Sequence, residues 1–178
     1  MHGSINIPTT PLTGLTSGRA DDRYREVFAA HRVSVFRLAA MLVSDRFVAE
    51  EVTAEVFARV LPRWRRGEVN DALPYLRRAV VNEVRSRHRR RGHEQRALAR
   101  LNGAVAAGAP VDRLELREPL LAALAALPVR QRAVVVLRYH DDLSEAEVAR
   151  TLGTSVGTVK THASRGLEQL RRELKEMS

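Results

Sequence analysis

The sequence contains no cysteine, little aromatic character and no long apolar segment. Without cysteine it cannot form a disulfide scaffold, a thiolate zinc or iron–sulfur site, or a cysteine nucleophile. Its longest apolar runs, such as residues 120–127 and 133–137, are far shorter than the roughly 18 residues that a membrane span requires. Residues 1–20 lack a basic start followed by an apolar block, so they do not resemble a secretion signal. We therefore expect a cytoplasmic protein without membrane insertion.

Lysine is also scarce, because Lys160 and Lys175 are the only lysines among 30 basic residues. Against 21 acidic residues this leaves a formal net charge of +9, carried mainly by arginine. Such an excess favours a polyanionic partner, nucleic acid first and an anionic membrane surface second. With aromatic residues at 4%, a core must consist mostly of alanine, valine and leucine. The length of 178 residues allows one ordinary domain or two small ones.

The N-terminal part of the chain changes character near Asp21. Residues 1–20 are rich in glycine, serine, threonine and proline, and they predict a disordered tail. Apolar residues then recur at three- and four-residue steps, which predicts a helix capped by Asp21 or Asp22. The pair Ser44-Asp45 interrupts this pattern and offers the N-cap of a second helix.

Two further helices and the loop between them complete the first half. The second helix covers about residues 46–61 and is predicted to stop at Pro62. The polar stretch 63–71 reads as a loop, in which the single tryptophan is expected to act as a packing anchor rather than a base-stacking platform. A third helix is predicted from residue 72 to about residue 91, ended by Gly92.

A run of arginine marks the end of this third helix. Between Arg77 and Arg100 nine arginines face only two acids, Glu83 and Glu94, a local net charge of +7. A solvated helix end is the ordinary explanation for a charge run. Nine like charges in 24 residues repel one another unless an anion lies among them, so this run predicts an anionic partner.

The second half of the chain begins after a small-residue segment. Residues 101–112 are small and almost uncharged, which favours a flexible linker over a weak alanine-rich helix, and we place the linker at 93–113. Four amphipathic helical patterns follow in residues 114–178, and no strand-like alternation occurs. The predicted fold is all-α, with two small helical domains joined by a flexible linker.

The stretch SEAEVARTLGTSVGTVKTHASRGLEQL predicts a helix-turn-helix. The first helix supplies a small residue, Ala149, where the second helix crosses it, and Gly153 tolerates the left-handed turn. Val159 provides the buried aliphatic residue of the second helix, which Ser155 caps. No acidic residue occurs from Ser155 to Leu167, as expected for a helix that lies beside DNA phosphates.

No catalytic or cofactor motif accompanies it. The six histidines show no metal-binding spacing, and no glycine-rich phosphate loop, GxSxG motif or plausible carboxylate pair occurs. Glu50 and Glu51 are adjacent on a predicted helix face, which suits them poorly to acid–base catalysis. We therefore predict no enzyme, no metal and no cofactor.

Both halves together resemble a known family. The patterns Leu-Pro, LSxxE[VI]AxxLG and SxGTVK in the second half resemble the σ4 domain of bacterial sigma factors of the ECF (extracytoplasmic function) type. The stretches VAEEVTAEVFARVLPRW and YLRRAVVNEVRSRHRRR resemble their σ2 domain. The resemblance assigns residues 21–92 to a σ2-like domain and 114–178 to a σ4-like domain. It implies a factor that binds core RNA polymerase, directs initiation at −35/−10 promoters and is controlled by an anti-sigma factor.

The resemblance also implies site residues. In the family, an acidic-aliphatic helix of σ2 binds the clamp of the largest polymerase subunit, and here Ala54 replaces its usual glutamine. The matching residues are Glu50, Glu51, Val52, Glu55, Val56 and Phe57. A loop and the following helix bind the strand-separated −10 element. Their matches are Arg66, Gly67, Asn70, Arg77, Arg78, Asn82, Arg85 and Arg89, with Arg87 and Arg90 placed to hold phosphate. The σ4 recognition helix binds the duplex −35 element. Lys160, Thr161, Ser164 and Arg165 match the positions that read bases, and Ser155 and Thr158 are better placed for phosphate contact or capping.

Two rival functions follow from the same residues. A freestanding helix-turn-helix regulator would bind duplex DNA as a dimer, but no separate dimerisation helix is evident in the sequence. Residues 77–91 also lie far along the chain from the second helix of the helix-turn-helix, which we call the reading helix. A sigma-like chain that is only held in a complex would not need the acid-free helix with Lys160 and Arg165.

The family's linker is often acidic, whereas residues 93–113 are not, which leaves the linker's role open.

Overall fold

A computed structural model describes residues 17–102 and 119–177, and these two stretches contain seven α-helices and no strand. The helices are α1 (Ser17–Val43), α2 (Arg46–Arg65), α3 (Ala72–Asn102), α4 (Pro119–Ala126), α5 (Val129–Tyr139), α6 (Glu145–Leu152) and α7 (Val156–Glu176). The all-α prediction is confirmed. None of the helices in the described stretches combines the length and apolar character needed to cross a membrane.

The first three helices pack against one another around valine and leucine side chains. Leu38 of α1, Val52 and Val56 of α2, and Leu76 of α3 are almost completely buried. Trp64 is also buried, which fits the predicted packing anchor. Burying each such side chain stabilises the fold by about 1.5–3 kcal/mol. Many buried valine and leucine side chains can therefore stabilise this half with few aromatic residues.

The break between α1 and α2 is confirmed. Ser44 has a positive φ of 57°, which ends α1. Asp45 then caps α2, because its side chain accepts a hydrogen bond of 2.9 Å from the Val48 amide.

Two other predicted helix boundaries in this half are wrong. Helix α1 begins at Ser17 rather than at an aspartate cap, and the Asp21 carboxylate lies inside the helix, where it accepts hydrogen bonds of 2.7 and 2.9 Å from Arg65 of α2. Helix α2 passes through Pro62 to Arg65, where burial of Trp64 stabilises the last turn. Residues 17–20 of the predicted tail are therefore helical, and residues 1–16 lie outside the described part.

The predicted end of α3 at Gly92 is also wrong, since the helix continues to Asn102. An isolated glycine costs a helix only about 1 kcal/mol relative to alanine. Arg96 Nε donates a 2.8 Å hydrogen bond to the Gly92 carbonyl and supports the turn. Residues 93–102 of the predicted linker are thus helical, and the rest of that linker lies outside the described residues.

In the second half, α5 packs against α7, and α6 against both. The run from Ala133 to Leu137 in α5 is buried on all sides. Gly166 allows the close crossing of α5 and α7, because a Cβ at this position would stand 2.7 Å from Val135 Cγ2. The position of the reading helix therefore depends on a glycine.

The two halves contact each other. Helix α1 packs against α4 and α5, α3 packs against α6, and buried apolar residues of both halves form one cluster. Arg132 of α5 reaches across this boundary and donates a 2.7 Å hydrogen bond to the Leu42 carbonyl at the end of α1. The helices predicted as two domains are thus in direct contact.

Candidate nucleic-acid interface

The helix-turn-helix consists of α6 and α7. Ser144 and Glu147 form the predicted capping box at the start of α6, each bonding the other's backbone amide. Gly153 has a φ of 63° and ends α6 in the left-handed conformation. Ser155 caps α7 by accepting a 3.1 Å hydrogen bond from the Thr158 amide. Local sequence therefore sets both helix starts and the turn between them.

A small buried corner holds the two helices together. Val148 and Val159 are completely buried, and Ala149 is 7% exposed at their crossing. The predicted roles of Ala149 as the small crossing residue and Val159 as the buried aliphatic residue are confirmed.

The outer face of α7 is polar, exposed and free of acidic side chains up to Leu167. Lys160, Thr161, Ser164 and Arg165 are all exposed there. The Lys160 ammonium lies 3.7 Å from a Glu145 carboxylate oxygen, and Thr161 bonds to the Gly157 carbonyl. Ser155 and Thr158 lie at the start of the helix, where their hydroxyl oxygens are 2.9 Å apart. The face therefore has the donors that base edges and phosphates require.

The loop between α2 and α3 carries three of the residues predicted for the −10 element. Gly67 has a φ of 70°, and Arg66 forms a 2.5 Å ion pair with Glu68. This hydrogen bond is the main reason that the pKa of Glu68 lies below its ordinary value. Val69 is buried and anchors the loop, while Asn70 is exposed.

The other predicted −10 residues lie on α3 and fall into two groups by exposure. Arg78, Asn82 and Arg89 are exposed. Arg77 and Arg85 are half-buried and contact the second half of the chain, Arg77 through Asp141 and Arg85 through the Leu152 carbonyl.

A cavity of about 310 Å³ lies where the loop and α3 meet α6. Asn70, Arg77 and Arg78 line it on one side, and Glu147 and Arg150 on the other. The structure thus brings the predicted −10 residues beside the helix-turn-helix domain.

A second cavity of about 220 Å³ places Arg85 beside Thr158 and His162 of α7. Part of the arginine run therefore lies near the reading helix in space, although the sequence separates the two.

The six residues predicted to bind polymerase divide by burial. Glu50 and Glu51 are exposed on α2, and Glu55 is half-buried. Val52, Val56 and Phe57 are 0%, 1% and 3% exposed and belong to the core. These three cannot contact a partner directly in this conformation, because the packing of α1–α3 already covers them. Ala54 lies exposed beside Glu55, where the family's glutamine would be.

The arginine run is partly neutralised from within the chain. Arg87 donates hydrogen bonds of 2.8, 3.0 and 3.0 Å to Glu51, Glu55 and Glu83. The Arg87 hydrogen bond is also the main reason that the pKa of Glu55 lies below its ordinary value. Glu83, only 1% exposed, also pairs with Arg59 and Arg90. Arg87 and Arg90, predicted to hold phosphates, are thus bound to carboxylates.

Sequence reasoning missed four structural residues at these sites: Glu83, Arg132, Asp141 and Gly166. Glu83 gave a signal, since it is one of only two acids in the arginine run and lies four positions before Arg87. Arg132 and Asp141 gave none, because their partners lie far away in the sequence.

Comparison with known proteins places both halves in one family. The sigma-70 region 2 family matches residues 27–94, and the sigma-70 region 4 family matches residues 117–170. The RNA polymerase sigma-E factor of Streptomyces coelicolor is 33% identical over 154 residues, covering 85% of each chain. The ECF RNA polymerase sigma factor SigW of Bacillus subtilis is 28% identical over 170 residues, covering 88% of this chain and 91% of that protein.

Two solved structures share the fold. The sigma factor RpoE, in complex with the anti-sigma factor NepR from Bartonella quintana, has a TM-score of 0.70 and 22% identity over 86% of this chain and 98% of that one. CnrH, in complex with the cytosolic domain of CnrY, has a TM-score of 0.64 and 20% identity over 90% and 96%.

The fold and the site define an all-helical protein in which a helix-turn-helix follows a region 2 domain. The chain belongs to the ECF family of RNA polymerase sigma factors. The rival interpretation as a freestanding regulator is not favoured, because the relatives match along both halves.

Proposed function

We propose that this protein binds core RNA polymerase and directs it to promoters with −35 and −10 elements. The observation that supports this best is the cationic, acid-free face of α7 in a chain that also exposes Arg78, Asn82 and Arg89 on α3. The first surface suits duplex DNA and the second suits a separated strand. The protein itself makes or breaks no covalent bond and acts in the cytoplasm.

Each half has its own part in promoter recognition. Residues 21–92 bind the −10 element, where the anchored loop around Asn70 captures an unpaired base and the exposed arginines hold phosphates. Residues 114–178 bind the −35 element through α7 in the major groove. Differential binding of unpaired bases offsets the few kcal/mol that unstacking costs.

The polymerase contact is made by the exposed acids of α2. Glu50 and Glu51 face solvent, whereas Val52, Val56 and Phe57 hold the helix in place from the core. This division revises the predicted interface, because only the acidic part of the acidic-aliphatic helix is accessible.

An anti-sigma factor is the further partner that we propose. The two solved relatives of the same fold are each in complex with a second protein, which for RpoE is the anti-sigma factor NepR. Such a partner would bind the chain on the surfaces that polymerase uses.

Run-off transcription tests the proposed function. Purified core polymerase with this protein should give defined transcripts from genomic fragments, and core polymerase alone should not. Glu50→Arg should reduce holoenzyme assembly at least tenfold while the unfolding midpoint stays unchanged, because Glu50 forms only an exposed pair with Arg46. Absence of stimulation on every genomic fragment would refute the proposal, and normal assembly of Glu50→Arg would refute the α2 contact.

Arg165→Ala should weaken binding of the −35 element by about 1–3 kcal/mol and change its sequence preference, because Arg165 is exposed on the base-reading face. Competition binding with duplexes that vary one base pair at a time measures both effects. Arg171→Ala, an exposed arginine near the other end of α7, is the matched control and should change neither. An unchanged preference would place Arg165 among the phosphate contacts.

A further inference from the structure

One arginine of α3 holds two acids of α2. Arg87 Nη1 donates a 2.8 Å hydrogen bond to Glu51 Oε2, and Arg87 Nη2 donates a 3.0 Å hydrogen bond to Glu55 Oε2. The Arg87 Nε donates a third bond, of 3.0 Å, to Glu83 of its own helix. Each nitrogen of this guanidinium therefore binds a carboxylate, and the side chain is only 23% exposed. Arg87 is thus better suited to linking two helices than to holding a phosphate.

The link is fixed on the α3 side by a buried acid. Glu83 is 1% exposed and lies one turn before Arg87 on the same helix. It also pairs with Arg90 at 3.1 Å and with Arg59 of α2 at 3.0 Å. A buried carboxylate with three guanidinium partners has little freedom to move, so it keeps Arg87 in one orientation.

A neighbouring acid on α2 is held differently. Glu50 pairs with Arg46 of its own helix, and these two side chains are 51% and 65% exposed. An exposed pair of this kind restrains its members little, because water competes for both charges. Glu51 and Glu55 lie four positions apart and share one half-buried guanidinium instead. Their carboxylates are therefore ordered as a pair before any partner binds.

We propose that Arg87 is a positioning residue of the polymerase contact, which holds the Glu51 and Glu55 carboxylates in the orientation that a cationic surface of polymerase binds. The bond to Arg87 uses Oε2 of Glu51, so Oε1 of that residue can accept a hydrogen bond from the partner. An acid that is already ordered loses less side-chain entropy on binding than a free one. The inference rests on the proposed function in that the acids of α2 contact polymerase.

Positioning and simple electrostatics predict opposite effects of removing Arg87. Without the charge of Arg87 this face of α2 becomes more negative, and a cationic partner would bind it more tightly. Without the hydrogen bonds of Arg87 the two glutamates regain rotamer freedom. That freedom must be lost again on binding, so the contact with polymerase weakens. The direction of the change in affinity therefore decides between the two.

Biolayer interferometry with immobilised core polymerase measures the change. Arg87→Met should weaken assembly about tenfold, the loss expected when two glutamates must be ordered on binding. Arg91→Met is the matched control, because it removes the same charge from an exposed position one turn further along α3, and it should change assembly less than about twofold. Arg87→Lys should fall between them, since one ammonium cannot hold both acids as a guanidinium does. Assembly of Arg87→Met as tight as that of Arg91→Met, or tighter, would overturn the proposal.

A second background separates positioning from a loss of stability. In a chain that carries both Glu51→Ala and Glu55→Ala, Arg87 has neither of these acids to hold, so adding Arg87→Met should change assembly less than about twofold. A purely structural effect of Arg87→Met would persist in this background. An equal loss in both backgrounds would therefore overturn the proposal.

Carbon-13 NMR of the free protein tests the contact without polymerase. The Arg87 hydrogen bond is the main reason that the pKa of Glu55 lies below its ordinary value. That pKa should therefore rise in Arg87→Met and stay unchanged in Arg91→Met, as measured by titration of the Glu55 carboxyl resonance. An unchanged pKa of Glu55 in Arg87→Met would mean that Arg87 does not hold this acid in solution, and the proposal would be wrong.

The assays also separate this inference from the proposed function. If Glu50→Arg prevents assembly while Arg87→Met leaves it normal, the α2 contact stands and the positioning role fails. If Glu50→Arg and the chain with Glu51→Ala and Glu55→Ala both assemble normally, the α2 contact itself fails and the inference fails with it.

Discussion

Arg132→Met is expected to lower the free energy of unfolding by about 3 kcal/mol. The Arg132 guanidinium is buried and donates to three backbone carbonyls, at Leu42, Ala125 and Leu127, over 2.7, 2.7 and 3.1 Å. Each buried carbonyl left without a donor costs roughly 1–3 kcal/mol. Methionine retains the apolar volume and removes the desolvation cost of a buried cation, which is why the expected loss is well below the sum.

Urea denaturation followed by circular dichroism measures this loss. Arg130→Met is the matched control, because Arg130 is exposed on the same helix, and its effect should stay within about 0.5 kcal/mol. Arg132→Lys should fall between the two, since one ammonium cannot reach all three carbonyls in the fork geometry of a guanidinium. A loss below about 1 kcal/mol in Arg132→Met would show that water replaces the lost donors.

Glu83→Ala should lower the free energy of unfolding by about 3 kcal/mol, at the low end of the range for a broken buried ion pair. Glu83 is 1% exposed and binds Arg87, Arg90 and Arg59 at 3.0, 3.1 and 3.0 Å. Its removal leaves these arginines with fewer acids, so they repel one another. Arg59 and Arg90 can turn to solvent, because they are 54% and 61% exposed, which limits the loss.

The control for Glu83 is Glu50→Ala, whose exposed pair with Arg46 should contribute less than about 1 kcal/mol. Denaturation at two salt concentrations adds a second criterion, since the Glu83 effect should persist at high salt while the Glu50 effect disappears. A loss below 1 kcal/mol for Glu83→Ala would contradict the prediction. It would mean that Glu83 reduces the repulsion among the arginines without stabilising the fold as a buried ion pair. The pKa of Glu55 in the folded chain lies below its ordinary value. Its ionised carboxylate therefore stabilises the fold at pH values above that ordinary pKa, and this contribution is lost as the pH falls through the lowered pKa.

Sequence reasoning predicted the helix-turn-helix well because all its determinants are local. The capping box at Ser144, the left-handed Gly153 and the cap at Ser155 each act within three or four residues. The same holds for the cap at Asp45. Interactions of this range can be read directly from the order of residues.

The wrong helix boundaries have tertiary causes. Asp21 lies inside α1 instead of capping it, and its carboxylate binds Arg65, which is 44 positions along the chain. Pro62 and Gly92 fail to end their helices because packing and side-chain contacts stabilise the next turn. Local propensity is worth about 1 kcal/mol at Gly92, which a few packed side chains exceed.

Composition and local pattern by themselves determined the all-α fold, the reading helix and its cationic face, since these follow from helical period, caps and the absence of acids over a short stretch. Only the tertiary structure decided which charges are free. In the tertiary structure Glu83 is buried among arginines, and Val52, Val56 and Phe57 belong to the core. Asp141 forms an ion pair with Arg77. Pairing of charges depends on the path of the chain over tens of residues, and no periodicity encodes that path.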